Sequence, residues 1–216
     1  APAVAATYTG SARLWQDANV IEAPSIQFDR DHRSVVAEGT SARPAQTILV
    51  QIEKPSGNDP DTRPGSKVPL LGRSSPITIT AKRLSYVDSA RKIHYEGGVL
   101  AKGTDFTASS KTADSFLVPR SQTTSNQGLS APGRLDRMVA QGDVTIQQTN
   151  RRAQGQTLTY AANDDKFVLT GGPPSIFDAE QGKITGVSLT FFRRDDRVLV
   201  EGEGSTPVVT TMRVAR

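Results

Sequence analysis

Apolar residues in this chain come in pairs two positions apart, and the pairs themselves come in twos. Leu84 and Tyr86 form one pair and Ile93 and Tyr95 the next, with Asp88-Ser89-Ala90 between them. In an extended chain such residues share one face of a sheet, so this stretch predicts a β-hairpin with a polar turn. Gly97 closes the unit, and glycine allows a left-handed or bulged corner. The unit recurs. Ile26, Phe28 and Gly39, then Leu158, Tyr160 and Gly171, then Leu189, Phe191 and Gly202 keep the spacing of Leu84, Tyr86 and Gly97. A small residue, Ala23, Ala81, Gly155 or Gly186, stands three before the first apolar one. The second strands carry Val35 and Ala37, Phe167 and Leu169, and Val198 and Val200, each after a turn rich in Asp, Asn or Arg. A fifth copy begins at Ala113 with Phe116 and Val118, is interrupted, and finishes at Met138, Ala140 and Gly142. Self-similarity of this kind marks a repeat architecture.

The remaining segments fit the same plan. Tyr8, Gly10, Ala12 and Leu14 form a half-copy, and Ala12 and Leu14 follow their glycine as Val99 and Ala101 follow Gly97. Further strands are expected at 47–52, at 77–80 and, last in the chain, at 208–214. No apolar i, i+3, i+4, i+7 pattern lasts ten residues, so helix should be minimal. Residues 54–76 hold Pro55, Pro60, Pro64, Pro69 and Pro76, and residues 119–134 are rich in Ser, Thr and Gln. Both read as surface loops. The repeat resumes in phase after each, which predicts one β domain over 4–214 with two insertions.

Composition narrows the classes. The chain has 216 residues, 36% hydrophobic and 22% charged, enough for a substantial core. No run approaches eighteen apolar residues, and there is no cysteine for disulfides or thiolate metal sites. The opening Ala1-Pro2-Ala3-Val4-Ala5-Ala6 has neither a basic nor an apolar signal region, and the expectation is that any signal or anchor has been removed. The net charge of +4 is spread thinly, unlike the concentrated basic face of a nucleic-acid binder, so no nucleic-acid partner is expected. One pattern stands out: Lys92, Arg137, Lys166 and Arg197 each open a second strand. They are either solvated charges that discourage edge pairing or a row of cations for an anionic ligand.

Catalytic chemistry finds little support. His32 sits in a turn and His94 is out of phase with Ile93 and Tyr95, and neither has a serine motif beside it. Asp164-Asp165 and Asp195-Asp196 occupy equivalent turns, where aspartate satisfies local backbone groups. Gly171-Gly172-Pro173-Pro174 lacks the lysine of a phosphate loop. No catalytic residue, metal site or cofactor is expected. The repeated apolar face is left as the candidate site. It is either an ordinary sheet-on-sheet core or one wall of a trough open to elongated apolar ligands.

Tyr8-Thr9-Gly10, Val20-Ile21-Glu22-Ala23, Ile26-Gln27-Phe28 and Ala37-Glu38-Gly39, repeated as Ala81, Leu84-Ser85-Tyr86 and Tyr95-Glu96-Gly97-Gly98-Val99, resemble the OstA-like (LptA) family. The resemblance runs from about Tyr8 to Gly204, outside the insertions. It implies an all-β, bent double-sheet, half-open β-jelly-roll without catalysis. It also implies a periplasmic location and a hydrophobic groove for the acyl chains of lipopolysaccharide or a related glycolipid. Partner domains of the same kind would add end to end, strand to strand, into a bridge toward the outer membrane. Carried over by position, the groove is Ile26, Phe28, Val35, Leu84, Tyr86, Ile93, Tyr95, Phe116, Met138, Leu158, Tyr160, Phe167, Leu169, Leu189, Phe191, Val198 and Val200. The alternative is a structural or adhesin-like β-repeat with a closed core and no ligand.

Overall fold

The computed structural model describes residues 5–16, 19–52, 74–118, 135–179, 182–192, 197–202 and 207–211. Their regular structure is all β: β1 Ala5–Gln16, β2 Asn19–Asp29, β3 Ser34–Glu38, β4 Ala45–Ile52, β5 Ser74–Ala81, β6 Arg83–Val87, β7 Lys92–Lys102, β8 Thr107–Leu117, β9 Leu135–Gln147, β10 Arg151–Ala161, β11 Lys166–Thr170, β12 Ser175–Asp178, β13 Gly182–Thr185, β14 Ser188–Phe192, β15 Arg197–Glu201 and β16 Val209–Thr211. All pair antiparallel within one hydrogen-bonded network. The four hairpins expected from the repeat are β2–β3, β6–β7, β10–β11 and β14–β15.

The register shows how one network becomes two layers. β2 pairs with β4 through residues 20–22 and with β3 through residues 25–29. β7 pairs with β6 through 92–96 and with β5 through 100–102, and β10 divides likewise between β11 and β12. Each long strand therefore serves one layer with its first half and the other with its second. The hairpin layer contains eleven strands, β1, β2, β3, β6, β7, β8, β9, β10, β11, β14 and β15; the opposite layer takes β4, β5, β12, β13 and β16 in place of β3, β6, β11, β14 and β15.

The crossing points are register shifts, at Thr9/Ala12, Glu96/Val99, Ser109/Thr112 and Gly155/Thr157. An extra residue at a bulge bends a strand sharply. At the β7 crossing Gly97 and Gly98 take φ of +85° and +89°, a region side chains with a Cβ rarely enter. These corners join the layers along one long side, the spine. On the other side both layers end in turns, at 30–33, 88–91 and 162–165 in the hairpin layer and 103–106 and 148–150 in the opposite one. That side is the mouth.

Between the layers lies one apolar cluster. In β7 the buried residues are Ile93, Tyr95, Val99 and Ala101, the alternation keeping its phase through the exposed glycine corner. Ile21, Leu49, Ile79, Leu84, Leu169 and Leu189 are almost wholly excluded from solvent, and each contributes about 1.5–3 kcal/mol by that burial. Two boundaries differ from expectation. β5 starts at Ser74 rather than Ile77, because Pro76 sits opposite Val50 near the end of the β4–β5 ladder. The last strand is Val209–Thr211, paired with β13, and residues 212–214 lie outside the described ones. The rest of the first insertion and all of 119–134 also lie outside them.

Candidate functional site

The hairpin layer brings most of the expected groove residues onto one inner wall. Ile26, Val35, Leu84, Tyr86, Ile93, Tyr95, Leu158, Tyr160, Phe167, Leu169, Leu189 and Phe191 are buried in the single cluster, and Phe28, Met138, Val198 and Val200 pack against it partly buried. The pairing explains their company. Leu84 faces Tyr95 and Tyr86 faces Ile93; Leu158 faces Leu169 and Tyr160 faces Phe167; Leu189 faces Val200 and Phe191 faces Val198. Such directly opposed pairs are the unit of sheet stabilisation.

Phe116 is not among them. In β8 the buried residues are Ala113, Ser115 and Leu117, so Phe116 points to the outer face. The β8 bulge lies at Ser109/Thr112, which makes Ser110, Ala113 and Ser115 the equivalents of Ala81, Leu84 and Tyr86. The fifth copy thus starts three residues earlier than its aromatic suggests. On the outer face Arg137 stacks on the Phe116 ring at 3.7 Å, with Lys92 at 5.8 Å.

The strand-opening cations line up there. Lys92, Phe116, Arg137, Ala161, Lys166, Phe192 and Arg197 are successive register partners across β7 to β15, forming one outer row beside the mouth. Lys92 is paired with Asp114 at 2.9 Å, Lys166 with Asp164 at 3.3 Å, and Arg197 lies 4.3 Å from the Phe192 ring.

The repeated tyrosines have apolar bodies inside and polar tips at the mouth. Tyr86 donates to Asp88 Oδ1 at 2.7 Å and accepts from Arg91 Nη1 at 3.1 Å; Tyr160 donates to Asp165 Oδ1 at 2.9 Å. The turn aspartates therefore anchor the rim, an amphipathic use of tyrosine.

The sequence reading missed three features. First, the facing wall, Ile21, Leu49, Ile77, Ile79, Val144, Ile146 and Ile176, is as buried as the first; the alternation after Gly97 and Gly142 signalled part of it. Second, Phe106, from the β7–β8 turn of the opposite layer, reaches across the mouth. Its ring meets Phe167 edge-on at 5.2 Å, and Phe167 stacks on Tyr160 at 4.6 Å. Beside these rings the interlayer gap is about 20 Å³, lined also by Ile77, Met138 and Leu158. That is room for a water molecule, not for an acyl chain.

Third, three hydroxyls lie in the apolar interior: Thr47 from the opposite layer, Tyr95 and Ser115 from the hairpin layer, all with no solvent exposure. Burial pushes the Tyr95 phenol up to about 12, offset in part by the nearby Thr47 and Ser115 hydroxyls. Near as they are, none of the three oxygens makes a well-aligned hydrogen bond among the described residues. A buried hydroxyl without a partner costs about 1–3 kcal/mol. Among the described residues, no group of three or more His, Asp or Glu side chains is placed to hold a metal ion.

The sequence pattern of the family described as LptA/(LptD N-terminal domain) LPS transport protein matches residues 78–197, more than half of the 216. The chain belongs to this family. The matched part of the LptA/LptD domain begins within β5 and ends at the start of β15, so it takes in the β6–β7 and β10–β11 hairpins whole and the first strand of β14–β15. LptH of Pseudomonas aeruginosa, the LptA-homologous periplasmic component of a lipopolysaccharide transport device, has a similar structure with a TM-score of 0.52. The match covers 64% of this chain and 96% of LptH at 14% sequence identity, so it is a likeness of fold. None of the curated proteins compared matches the chain. An LptA-family domain is a transport protein, not a catalyst.

Proposed function

We propose that this protein carries lipopolysaccharide through the periplasm by taking its acyl chains between the two layers, with the sugar headgroup left at the mouth. The observation that carries this reading is the apolar lining that runs through both layers from β2 to β14, the layers being joined by backbone, among the described residues, along the spine. Apolar chains need a concave apolar site with polar groups at its edge, and the Tyr86–Asp88 and Tyr160–Asp165 pairs supply that edge. The groove is then the sixteen inward residues named above, without Phe116, together with the facing wall. Because the gap beside Phe106 is about 20 Å³, loading requires the layers to part at the mouth. The free edges of β1 and of β15 and β16, unpaired on their outer sides among the described residues, offer backbone groups for strand addition by like domains, and the whole of 4–214 acts as one carrier unit.

A second reading, a structural β-repeat with a closed core, is favoured by that same small gap. Photo-crosslinking from Leu158 or Tyr86 in the presence of lipopolysaccharide separates the two. The carrier reading expects a lipid adduct from these inner positions and none from outward Thr159. Absence of any adduct from the inner positions, in protein shown to be folded, leaves the closed-core reading standing.

A further inference from the structure

The Thr47, Tyr95 and Ser115 hydroxyls stand out from an otherwise apolar interior. They come from both layers: Thr47 lies on β4 between Ile21 and Ile79, while Tyr95 and Ser115 lie on neighbouring β7 and β8. All three oxygens are shielded from solvent and lack an aligned partner. Buried hydroxyls in proteins are nearly always hydrogen-bonded, to protein, water or ligand, so such a trio calls for an occupant. An oxygen-bearing acyl chain entering an apolar trough has the complementary problem, since its hydroxyl or ester oxygen loses water on burial. Each side supplies what the other lacks.

We propose that Thr47, Tyr95 and Ser115 form a polar binding position inside the trough that takes the hydroxyl or ester oxygen of a β-oxygenated acyl chain. The trio selects such chains over plain ones, because a site built around unpartnered hydrogen-bonding groups rejects an analogue that leaves them unpaired. Tyr95 and Ser115 hold the oxygen from the hairpin layer and Thr47 from the opposite layer. A chain seated there ties the two layers together at the point where they are bridged by side chains rather than by backbone.

This inference rests on the proposed carrier function, and the test separates the two. Binding of β-hydroxymyristic acid and of myristic acid is measured by displacement of an apolar fluorophore, in the parent and in Tyr95→Phe, Thr47→Val and Ser115→Ala. These replacements keep volume and remove oxygen, and circular dichroism checks that each variant is folded. The expected result is about tenfold tighter binding of the hydroxylated acid by the parent, equivalent to about 1.4 kcal/mol, and loss of that preference in Tyr95→Phe. Equal binding of both acids by the parent overturns the polar position and leaves the carrier reading intact. A preference that survives in all three variants overturns it as well. Failure of the parent to bind either acid overturns both. Should Tyr95→Phe not fold, the Thr47→Val and Ser115→Ala pair decides, since both side chains are proposed to hold the same oxygen.

Discussion

Removing the Phe106 ring should loosen the mouth at a measurable cost. Phe106 is 7% exposed and packs edge-on against Phe167 at 5.2 Å. Truncating a buried phenylalanine to alanine costs about 3–5 kcal/mol, of which an aromatic pair accounts for about 0.5–1.5. At the mouth the neighbouring side chains are free to close in, which places Phe106→Ala at the low end, about 3 kcal/mol. For a domain of this size, with an m-value of about 2–3 kcal/mol/M in urea, the midpoint should fall by about 1 M. A companion variant keeps the ring and displaces it: a Cβ at Gly103 would lie 2.2 Å from Phe106 Cε1, so Gly103→Ala must push the ring out of its seat. Both variants should take up an apolar fluorophore faster than the parent, in stopped-flow mixing, while Phe106→Leu should not. A midpoint change below about 0.3 M with unchanged uptake would refute the view that Phe106 closes the mouth.

Three other outcomes follow from the geometry. Gly98→Ala should cost about 1–2 kcal/mol for its φ of +89° alone, and Gly97→Ala more, because its Cβ would also lie 2.5 Å from Lys82 Cβ; urea midpoints in the reverse order would count against the spine described above. Phe116→Asp should fold, facing Arg137 and Lys92 on the outer surface, whereas Tyr160→Asp should lose several kcal/mol or unfold; comparable thermal midpoints for the two would contradict the reassigned β8 phase. His32 Nδ1 lies 2.6 Å from Asp29 Oδ2, a contact that raises the histidine pKa and, with the backbone bond from His32, lowers that of Asp29. The His32 contribution should be present below pH 6.5 and fade as pH rises through its higher folded value; that of Asp29 should be present above 3.8 and fade as pH falls through its lower one. An NMR titration of His32 should give a midpoint above 6.5 that drops in Asp29→Asn, and a parent midpoint at or below 6.5 would refute the pairing.

The hairpins could be read from the sequence because each carries its own signals locally. Leu84, Tyr86, Ile93 and Tyr95 alternate, and Asp88 marks the turn between them, so neither strand needs distant information. The second layer could not be read in the same way. Val99 and Ala101 continue the alternation after Gly97, but only the pairing of β7 with β5 reveals that they belong to the opposite layer, across a gap from Met138, Leu158 and Phe167, rather than extending the hairpin wall. Bulges carry the rest of the uncertainty. One extra residue reverses the parity of all that follows, and nothing in Ser109-Ser110-Lys111 announces a bulge, so the aromatic Phe116 drew the phase to itself. Phe106 is a lone aromatic in a turn, outside any period. Thr47 and Ser115 read as ordinary polar strand residues until both layers are placed.

Because each repeat contributes strands to both layers and, among the described residues, its strands bond to those of its neighbours, length and calibre are set independently. Eleven strands in the hairpin layer, at a spacing of about 4.8 Å, make an interlayer space about 50 Å long. Its bore depends instead on the residues within a single unit and on the angle at one bent corner. Duplicating a hairpin together with its counterpart strand would extend the conduit by about 10 Å and leave its cross-section alone. Distance can therefore be gained by copying, while selectivity for what passes can be altered only by editing the side chains of an individual unit.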